Sequence, residues 1–314
     1  MDVSSLQLSS AKVVRDLFEA GAAACASAAC RKGSIEVIGP PGVLIATGDL
    51  HDNPAHLGRL LEASGLSDGL WAGAGGAAER ALISPDRHLL LHEIIHPPRL
   101  INGMDFSFRA LARVAALKAQ FPERVHVMLG NHELAQALGT AIIKDGVKVV
   151  DAFNAGLEYA YGIDADHVAD AIKKFVLSMP IALRCVCPGA DGRAGGHHIL
   201  CSHSLPSPAH MARFDPTLLA RPLEFRDFEP LRGSAYMMVW GRGHDAEILE
   251  DLVERWGVNL FILGHEYAER GIRLIPPCGV VLNSDHAAGV YVPLDLSAPP
   301  RFEAIPGLAV PLGG

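Results

Sequence analysis

The sequence predicts an α/β domain, and three observations support this fold class. Apolar runs rich in β-branched residues alternate with segments of helical periodicity, and the end of the chain is rich in short strands. Of the 314 residues, 49% are hydrophobic, which is enough for one large core. Four predicted strands end in polar residues that include a histidine, and ligand sites of α/β sheets lie just past the strands' carboxyl ends. We therefore expect a single domain over residues 1–314, with its core at about 35–295.

The first half of the chain carries local start signals for helices. Ser10 is placed to cap a helix, because a Ser side chain accepts from the first free backbone N–H groups. Pro54 suits the first turn of a helix, where an N–H group is not needed. The predicted elements are a helix after Ser10, strands over 35–38 and 43–47 that form a hairpin or follow one another, a helix over 54–63, a strand over 88–95, a helix over 106–121 and a strand over 125–129.

The second half is predicted to be mostly helical up to Ser178 and then mainly strands. Breaks in the helical part are expected near Gly146 and Gly162. The later elements are a β-hairpin over 181–187 and 197–202, a helix over 245–256, a strand over 259–263 and short strands over 273–275, 280–282 and 290–292. The Gly-rich stretch 64–85 is predicted to be a surface insertion, and the Pro-rich stretch 204–235 an irregular loop.

Composition excludes several classes of protein. A net charge of -8 leaves no basic surface that could neutralise nucleic-acid phosphates, so we expect no nucleic-acid partner. The six cysteines lack the spaced framework of secreted domains and are predicted to be reduced and mostly buried. The sequence shows no leader-like start and no uncharged apolar run of about 18 residues. We therefore expect a cytoplasmic protein without a membrane partner.

The polar residues at the strand ends are those that a phosphate-processing metal site requires. Hydrolysis of a phosphate ester needs a nucleophilic oxygen at neutral pH and positive charge beside the phosphoryl oxygens. Two divalent metal ions about 3.5–4 Å apart supply both. Carboxylate, imidazole and amide groups suit such ions as ligands. At its predicted strand ends the sequence offers Asp49, His51, Asn131, His203 and His265.

These residues stand in motifs that resemble those of the calcineurin-like metallophosphoesterases, most closely the phosphoprotein (serine/threonine) phosphatase branch and its bacterial relatives. The motifs are Gly48-Asp49-Leu50-His51, Gly130-Asn131-His132-Glu133, His203 and Gly264-His265, within about residues 43–285. The resemblance implies two mixed β-sheets packed face to face and flanked by helices. It also implies a phosphatase with a dinuclear site for manganese, iron or zinc, whose metal-activated hydroxide attacks a phosphorylated protein or small molecule.

The resemblance assigns the metal ligands residue by residue. Asp49 and His51 would bind one divalent ion, at the first metal position. Asn131, His203 and His265 would bind another, at the second metal position. The two positions would share one bridging carboxylate.

Further roles follow from the same resemblance. His132 would protonate the leaving alkoxide, a task that suits an imidazole near neutral pH. Arg242 resembles the family's Arg-Gly element and is the first candidate for binding phosphate, with Arg99 as the second. Tyr267 stands where some members carry an additional histidine ligand, whereas the phosphoprotein phosphatase branch has no ligand there.

One motif departs from the family pattern. The bridging aspartate aligns with Glu93, which is one methylene longer, and His92 is the alternative ligand at this point. His96 lies where an aspartate usually orients the catalytic histidine, and Pro97 replaces the neighbouring arginine. Groups that support a catalytic or ligating histidine commonly change activity by about ten- to a hundredfold. The surroundings of His132 are therefore expected to differ from those in the family.

Two other interpretations remain open from the sequence. A degenerate family member would bind metal or a phosphorylated ligand without turnover, which the altered motif favours. A structural zinc site is the other, because cysteine and histidine suit zinc, although their alternation along the predicted hairpin counts against it. Its candidate ligands are Cys185, Cys187, His197, His198, Cys201 and His203.

Overall fold

The computed structural model describes residues 6–66, 87–189 and 196–313, which form β-sheets, helices and the loops that connect them. The strands are β1 Arg31–Lys32, β2 Ile35–Ile38, β3 Val43–Thr47, β4 Arg87–Leu91, β5 Val125–Val127, β6 Ile143–Lys144, β7 Val147–Lys148, β8 Ala182–Cys187, β9 His197–Ser202, β10 Leu260–Leu263, β11 Ile272–Ile275, β12 Gly279–Leu282, β13 Val290–Asp295 and β14 Val310–Pro311. The α-helices are α1 Ala11–Ser27, α2 Pro54–Ala63, α3 Phe108–Gln120, α4 Asn131–Leu138, α5 Val149–Tyr161, α6 Ala165–Ser178, α7 Ser234–Trp240, α8 Ala246–Trp256 and α9 Ile305–Leu308.

The two large sheets are both mixed. One has seven strands in the order β1-β2-β8-β9-β10-β12-β11, and the other has five in the order β14-β13-β3-β4-β5. In the larger sheet β9, β10 and β12 run parallel, while β8 pairs with β9 as the predicted antiparallel hairpin. In the smaller sheet β3, β4 and β5 are parallel and β13 is antiparallel to β3. The predicted fold class, two mixed sheets flanked by helices, is confirmed.

The apolar core consists of two clusters, and neighbouring residues of one strand can belong to different clusters. Leu44 of β3 and Leu90 of β4 belong to an apolar cluster that also takes in Leu183 of β8 and Ile262 of β10. This cluster joins the facing sides of the two sheets, since successive strand residues point to opposite faces. The neighbouring Leu89 belongs instead to the larger cluster, which packs under the helices.

The helical layer packs tightly where α1 meets α3 and α6. A Cβ atom at Gly21 of α1 would lie 2.9 Å from the Cβ of Ala115 and 2.9 Å from a ring carbon of Phe175. The absence of a side chain therefore lets α1 approach both helices. Phe18, on the same helix, packs against Phe175 with 5.8 Å between ring centroids. The predicted cap of α1 is confirmed, because Oγ of Ser10 accepts from the backbone N–H of Val13.

Three sequence predictions of local structure need correction or completion. The stretches 35–38 and 43–47 do not form a hairpin, because β2 pairs with β8 in one sheet and β3 with β4 and β13 in the other. The strand predicted over 88–95 ends at Leu91. The predicted break near Gly146 is a small hairpin, β6–β7. The predicted insertion at 64–85 lies almost wholly outside the described residues.

The topology brings the carboxyl ends of five strands to one edge of the sandwich. Asp49 follows β3, and it forms isolated bridges with His92 after β4 and Asn283 after β12. His203 directly follows β9, and His265 follows β10, its parallel neighbour. The polar strand ends that the sequence singles out are therefore collected from both sheets. Within the described part of the chain, no helix has the length and apolarity needed to cross a membrane.

Candidate metal centre

Glu93 lies at the centre of the site formed by these strand ends. Its Oε1 atom is 3.0 Å from Nε2 of His51, and its Oε2 atom is 2.8 Å from Nε2 of His203. The side chain is buried, and the backbone adopts φ 41°, a left-handed conformation that is uncommon outside glycine. Each carboxylate oxygen thus faces one of the two predicted metal positions. Strand β4 ends at Leu91, so Glu93 is the second residue past the strand.

The first metal position brings Asp49, His51 and Glu93 together, with one ligand atom of each within 4.8 Å of the others. Nδ1 of His51 lies 2.9 Å from the carbonyl oxygen of Ile95, and because a carbonyl only accepts, Nδ1 carries the proton. Nε2 of His51 faces Glu93 and is the nitrogen that would bind a metal ion. A neighbouring hydrogen bond that fixes the tautomer in this way is typical of metal-ligating histidines.

The second metal position is formed by Asn131, His203 and His265. Nε2 of His203 is 2.7 Å from Oδ1 of Asn131 and 3.2 Å from Nδ1 of His265, and these last two atoms are 3.0 Å apart. Ligand atoms that surround a zinc-sized ion at about 2.0–2.2 Å lie roughly 3 Å from one another. Oε2 of Glu93 faces the same space and makes no hydrogen bond, despite its short distance to His203. The four donor atoms fit a divalent cation.

His92, the alternative to Glu93, lies on the other side of Asp49. It is fully buried, neither of its ring nitrogens has a hydrogen-bond partner among the described residues, and it groups with Asp49 and His203. Burial lowers the pKa of His92 to about 3, so its ring is neutral. Glu93, and not His92, is the residue that faces both metal positions.

Buried negative charge dominates the electrostatics of the site. Burial, reinforced by Glu93, raises the pKa of Asp49 to about 6. Burial would also raise the pKa of Glu93, but His132, His203 and His51 together lower it well below its usual range. Burial would lower the pKa of His51, but Glu93 raises it to about 9. Without a metal ion, His51 and His203, whose pKa values are raised by these carboxylates, supply the positive charge that the carboxylates require.

Two glycines are required by the close approach of the strand ends. A Cβ atom at Gly48 would lie 1.8 Å from the carbonyl oxygen of Leu282, and one at Gly264 would lie 2.4 Å from Oδ1 of Asp49. Both oxygens of Asp49 accept from the backbone N–H of His265, at 3.0 Å and 2.9 Å. The glycine before each ligand thus allows the two sheets to place Asp49 against His265.

His132, the predicted proton donor, lies in the first turn of α4 beside Glu93. Its Nε2 atom is 3.5 Å from Oε1 of Glu93, and its Nδ1 atom is 2.9 Å from Nδ1 of His96. His96 therefore contacts His132 at the place where the family carries an aspartate. Burial is the main reason that the pKa of His132 falls to about 4 and that of His96 to about 3.

Of the two arginine candidates, the structure brings one to the site. Arg242 is exposed, and its Nη1 atom donates to the carbonyl oxygen of His265 at 3.4 Å. No hydrogen bond or ion pair described in the structure joins Arg99 to a predicted ligand. Tyr267 is 71% exposed and packs against His286 with 5.4 Å between ring centroids, away from the ligand atoms.

Two residues make contacts at the site that the sequence does not predict: Glu133, which belongs to a predicted motif but has no role assigned there, and Lys144, which lies outside the motifs. Oε1 of Glu133 accepts from the backbone N–H groups of Ile94 and Ile95, at 2.7 Å and 3.2 Å, and so holds the loop that follows Glu93. Lys144 of β6 reaches the site from outside the motifs, with Nζ 3.2 Å from Nε2 of His51. The dipeptide Asp-Gly after Lys144 predicts a hairpin, but nothing in the local sequence predicts that the hairpin contacts His51.

The zinc ligands proposed for the β8–β9 hairpin do not come together. All six cysteines lie in the described ranges, and each is a buried free thiol, as predicted. Among the described groups that could hold an ion, none includes Cys185, Cys187, Cys201, His197 or His198. His203 belongs instead to the strand-end site. A separate group, Cys30, Glu36 and His126, lies elsewhere and includes a lysine-paired carboxylate.

Comparisons with known proteins agree on the fold. A scan against protein-family models gives no match, and a search of curated proteins gives none either. A protein serine/threonine phosphatase from Saccharomyces cerevisiae, with similarity to human phosphatase PP5, is 14% identical with a TM-score of 0.62, covering 91% of this chain and 83% of that one. A cold-active protein-tyrosine phosphatase of a psychrophilic Shewanella species is 15% identical with a TM-score of 0.53, covering 84% and 77%. The chain therefore has the fold of the calcineurin-like metallophosphoesterases, as the strand-end motifs predict.

Proposed function

We propose that this protein is a metal-dependent phosphoester hydrolase, that is, a phosphatase with a dinuclear metal site. The observation that carries the proposal is the position of Glu93, whose two carboxylate oxygens face His51 on one side and His203 on the other. A carboxylate shared in this way is what two adjacent divalent ions require. The fold, which is that of known phosphatases, supports the same conclusion.

The residues present fit two ions with mixed nitrogen and oxygen ligands. Asp49, His51 and Glu93 would hold the first. The second would be held by Glu93 with Asn131, His203 and His265. When bound, divalent ions would lower the pKa of a shared water to give the attacking hydroxide, and would neutralise charge on the phosphoryl oxygens. Manganese, iron and zinc all accept such a ligand set.

The remaining groups would bind the substrate and move the proton. His132 faces the shared carboxylate through Nε2, so that this nitrogen is placed to donate a proton to a leaving alkoxide. Arg242 lies exposed beside His265 and would bind the phosphoryl oxygens from that side. The substrate would be a phosphorylated protein or small molecule.

A second candidate function is binding of metal or of a phosphorylated ligand without turnover. It is favoured by His96, because a neutral imidazole supports a protonated His132 less well than the aspartate of the family. The two candidates share the metal site and differ only in chemistry. Metal content and turnover therefore separate them.

The test is a metal analysis combined with a phosphoester screen. Purified protein is loaded with manganese, iron or zinc, its bound metal is counted, and hydrolysis of an aryl phosphate, phosphoserine and phosphotyrosine peptides and alkyl phosphates is measured. Two bound ions and turnover, with hydrolysis of alkyl phosphates largely lost in His132→Ala, would support the phosphatase. Two bound ions with no turnover of any substrate would support the second candidate, binding without turnover. No bound metal would exclude the phosphatase and the metal-binding function.

A further inference from the structure

Lys144 is brought to the site by the β6–β7 hairpin, which lies outside all the metal motifs. Strands β6 and β7 are joined by Asp145 and Gly146, whose φ angles of 49° and 79° are both left-handed, as in a type I′ turn. Side chains alternate along the hairpin, so that Ile143 is 68% exposed while Lys144 is half-buried. The turn therefore fixes which side chain of β6 faces the metal centre.

The ammonium of Lys144 lies against the ring nitrogen through which His51 would bind a metal ion. Nδ1 of His51 is engaged, because it donates to the carbonyl oxygen of Ile95. Nε2 is the nitrogen left for a metal ion, and Nζ of Lys144 lies 3.2 Å from it. A metal ion on Nε2 would need the space beside this atom that the ammonium occupies. The ammonium and the ion therefore exclude each other at this atom.

An ammonium displaced from Nε2 stays tethered at the mouth of the first metal position. Its stem has four flexible carbons, and its charged head is strongly hydrated and acts as a point charge. The charge of Lys144 also acts on His132, because together with burial it lowers the pKa of that residue. In the described part of the chain, Lys144 and Arg242 are the two lysine or arginine side chains within hydrogen-bond distance of a predicted ligand residue. They do so at opposite ends of the site, at His51 and at His265.

We propose that Lys144 is a phosphate-binding residue, which caps Nε2 of His51 in the metal-free protein and binds the phosphoryl oxygens of the substrate once a metal ion has displaced it. This proposal rests on the proposed phosphatase function and adds a second cation to Arg242. A phosphoryl group over the two metal positions would then be contacted by positive charge from both ends, which suits a phosphomonoester dianion better than a diester.

The test compares Lys144→Gln with Lys148→Gln, a change on the same hairpin at a lysine that is exposed and faces Asp151. Calorimetry measures manganese binding to the metal-free proteins and inorganic phosphate binding to the manganese-loaded proteins. In K144Q we expect phosphate affinity to fall roughly tenfold, as for loss of a charged hydrogen bond. Manganese affinity at the weaker site should rise severalfold, because the competing ammonium is gone. K148Q should match the wild type in both titrations.

The outcomes also separate the two proposals. Phosphate affinity unchanged in K144Q, while the wild type binds two ions and turns over substrate, would overturn the role of Lys144 and leave the phosphatase function standing. Manganese affinity lowered in K144Q would likewise contradict the competition at His51. A wild type that binds none of manganese, iron and zinc would overturn the phosphatase function, and the role of Lys144 with it.

Discussion

Nδ1 of His96 lies 2.9 Å from Nδ1 of His132, so one of the two rings must donate to the other. Nε2 of His96 faces Oε1 of Gln136 at 3.2 Å, and the amide nitrogen of Gln136 donates to Oδ1 of Asn154. Since the amide oxygen only accepts, His96 carries its proton on Nε2 and accepts at Nδ1. His132 therefore donates from Nδ1, which leaves its Nε2 free on the side of Glu93. A neutral histidine thus fixes the tautomer that an aspartate fixes in the family.

Replacing His96 by aspartate is expected to raise the pKa of His132, because a carboxylate stabilises the imidazolium and a neutral ring does not. At present burial lowers that pKa to about 4, so little of the proton-donating form exists at pH 7. A higher pKa would keep His132 protonated, and therefore able to donate a proton, up to a higher pH. The descending limb of kcat against pH should move up by about one unit, and kcat at pH 7 should rise about tenfold.

The matched control for that prediction is His96→Asn, which is the size of aspartate and carries no charge. Its pH profile should keep the position of the wild-type limb. A limb that moves equally in both variants would show that the size of the side chain, and not its charge, determines the behaviour of His132. A limb unmoved in His96→Asp would contradict the proton-donor role.

Removing the imidazole in His132→Ala should lower kcat without releasing the metal ions, because His132 is not among the ligand atoms that converge on either position. General acid catalysis contributes about 10²–10⁴-fold in rate. The loss should be large for alkyl phosphates, whose alkoxide must be protonated, and small for an aryl phosphate with an acidic leaving group. Parallel rate measurements on the two substrates, with metal analysis of the same samples, check this. An equal loss on both substrates would place His132 outside proton transfer.

Shortening the central carboxylate in Glu93→Asp should reduce bound metal from two ions to one or none. In the present chain β4 ends at Leu91, and the full length of glutamate is used to face both His51 and His203. Aspartate at this point would reach one position at most, although it is the usual bridging residue of the family. Glu133→Gln is the control, since Glu133 bonds to the backbone of the loop and should leave both ions in place. Two ions retained in Glu93→Asp would contradict the bridging role.

Most of the ligand set could be predicted from the sequence because its members lie within a few residues of the carboxyl ends of strands. Asp49, Asn131, His203 and His265 need only the general rule that parallel strands end at one edge, and the structure brings all four together. Glu93 was placed only by alignment with the family motif, and its reach depends on where β4 ends.

The remaining contacts depend on packing that no local pattern encodes. Gln136 and Asn154 lie on different helices, α4 and α5, and meet only because those helices pack beside His96. Lys144 reaches His51 because of how the β6–β7 hairpin is oriented, and that orientation depends on contacts distant in the sequence. The turn at residues 39–42 is compatible with either a hairpin or a change of sheet, so the sequence could not decide between them.

Away from the metal centre, Glu36 is expected to make stability depend on pH. Nζ of Lys118 lies 2.7 Å from one of its oxygens and Nδ1 of His126 2.5 Å from the other, and all three side chains are fully buried. Burial opposes ionisation, but His126 and Lys118 lower the pKa of Glu36 below its usual 4.5. A depressed folded pKa gives stability that is present above 4.5 and lost as pH falls through the lower value.

Glu36→Gln should therefore lower the free energy of unfolding at pH 7 by about 3 kcal/mol, because it leaves Lys118 buried without a counter-charge. The difference from the wild type should shrink as pH falls below 4.5 and then through the lower folded pKa of Glu36, where the wild-type carboxylate also becomes protonated. Urea unfolding between pH 3 and pH 7, at about half-unit steps, measures the difference in free energy of unfolding and its dependence on pH. The double change Glu36→Gln with Lys118→Met should recover part of the loss, since no unpaired charge remains. A difference that stays constant across the pH range would show that Glu36 is not ionised in the folded protein, and that packing alone accounts for its contribution.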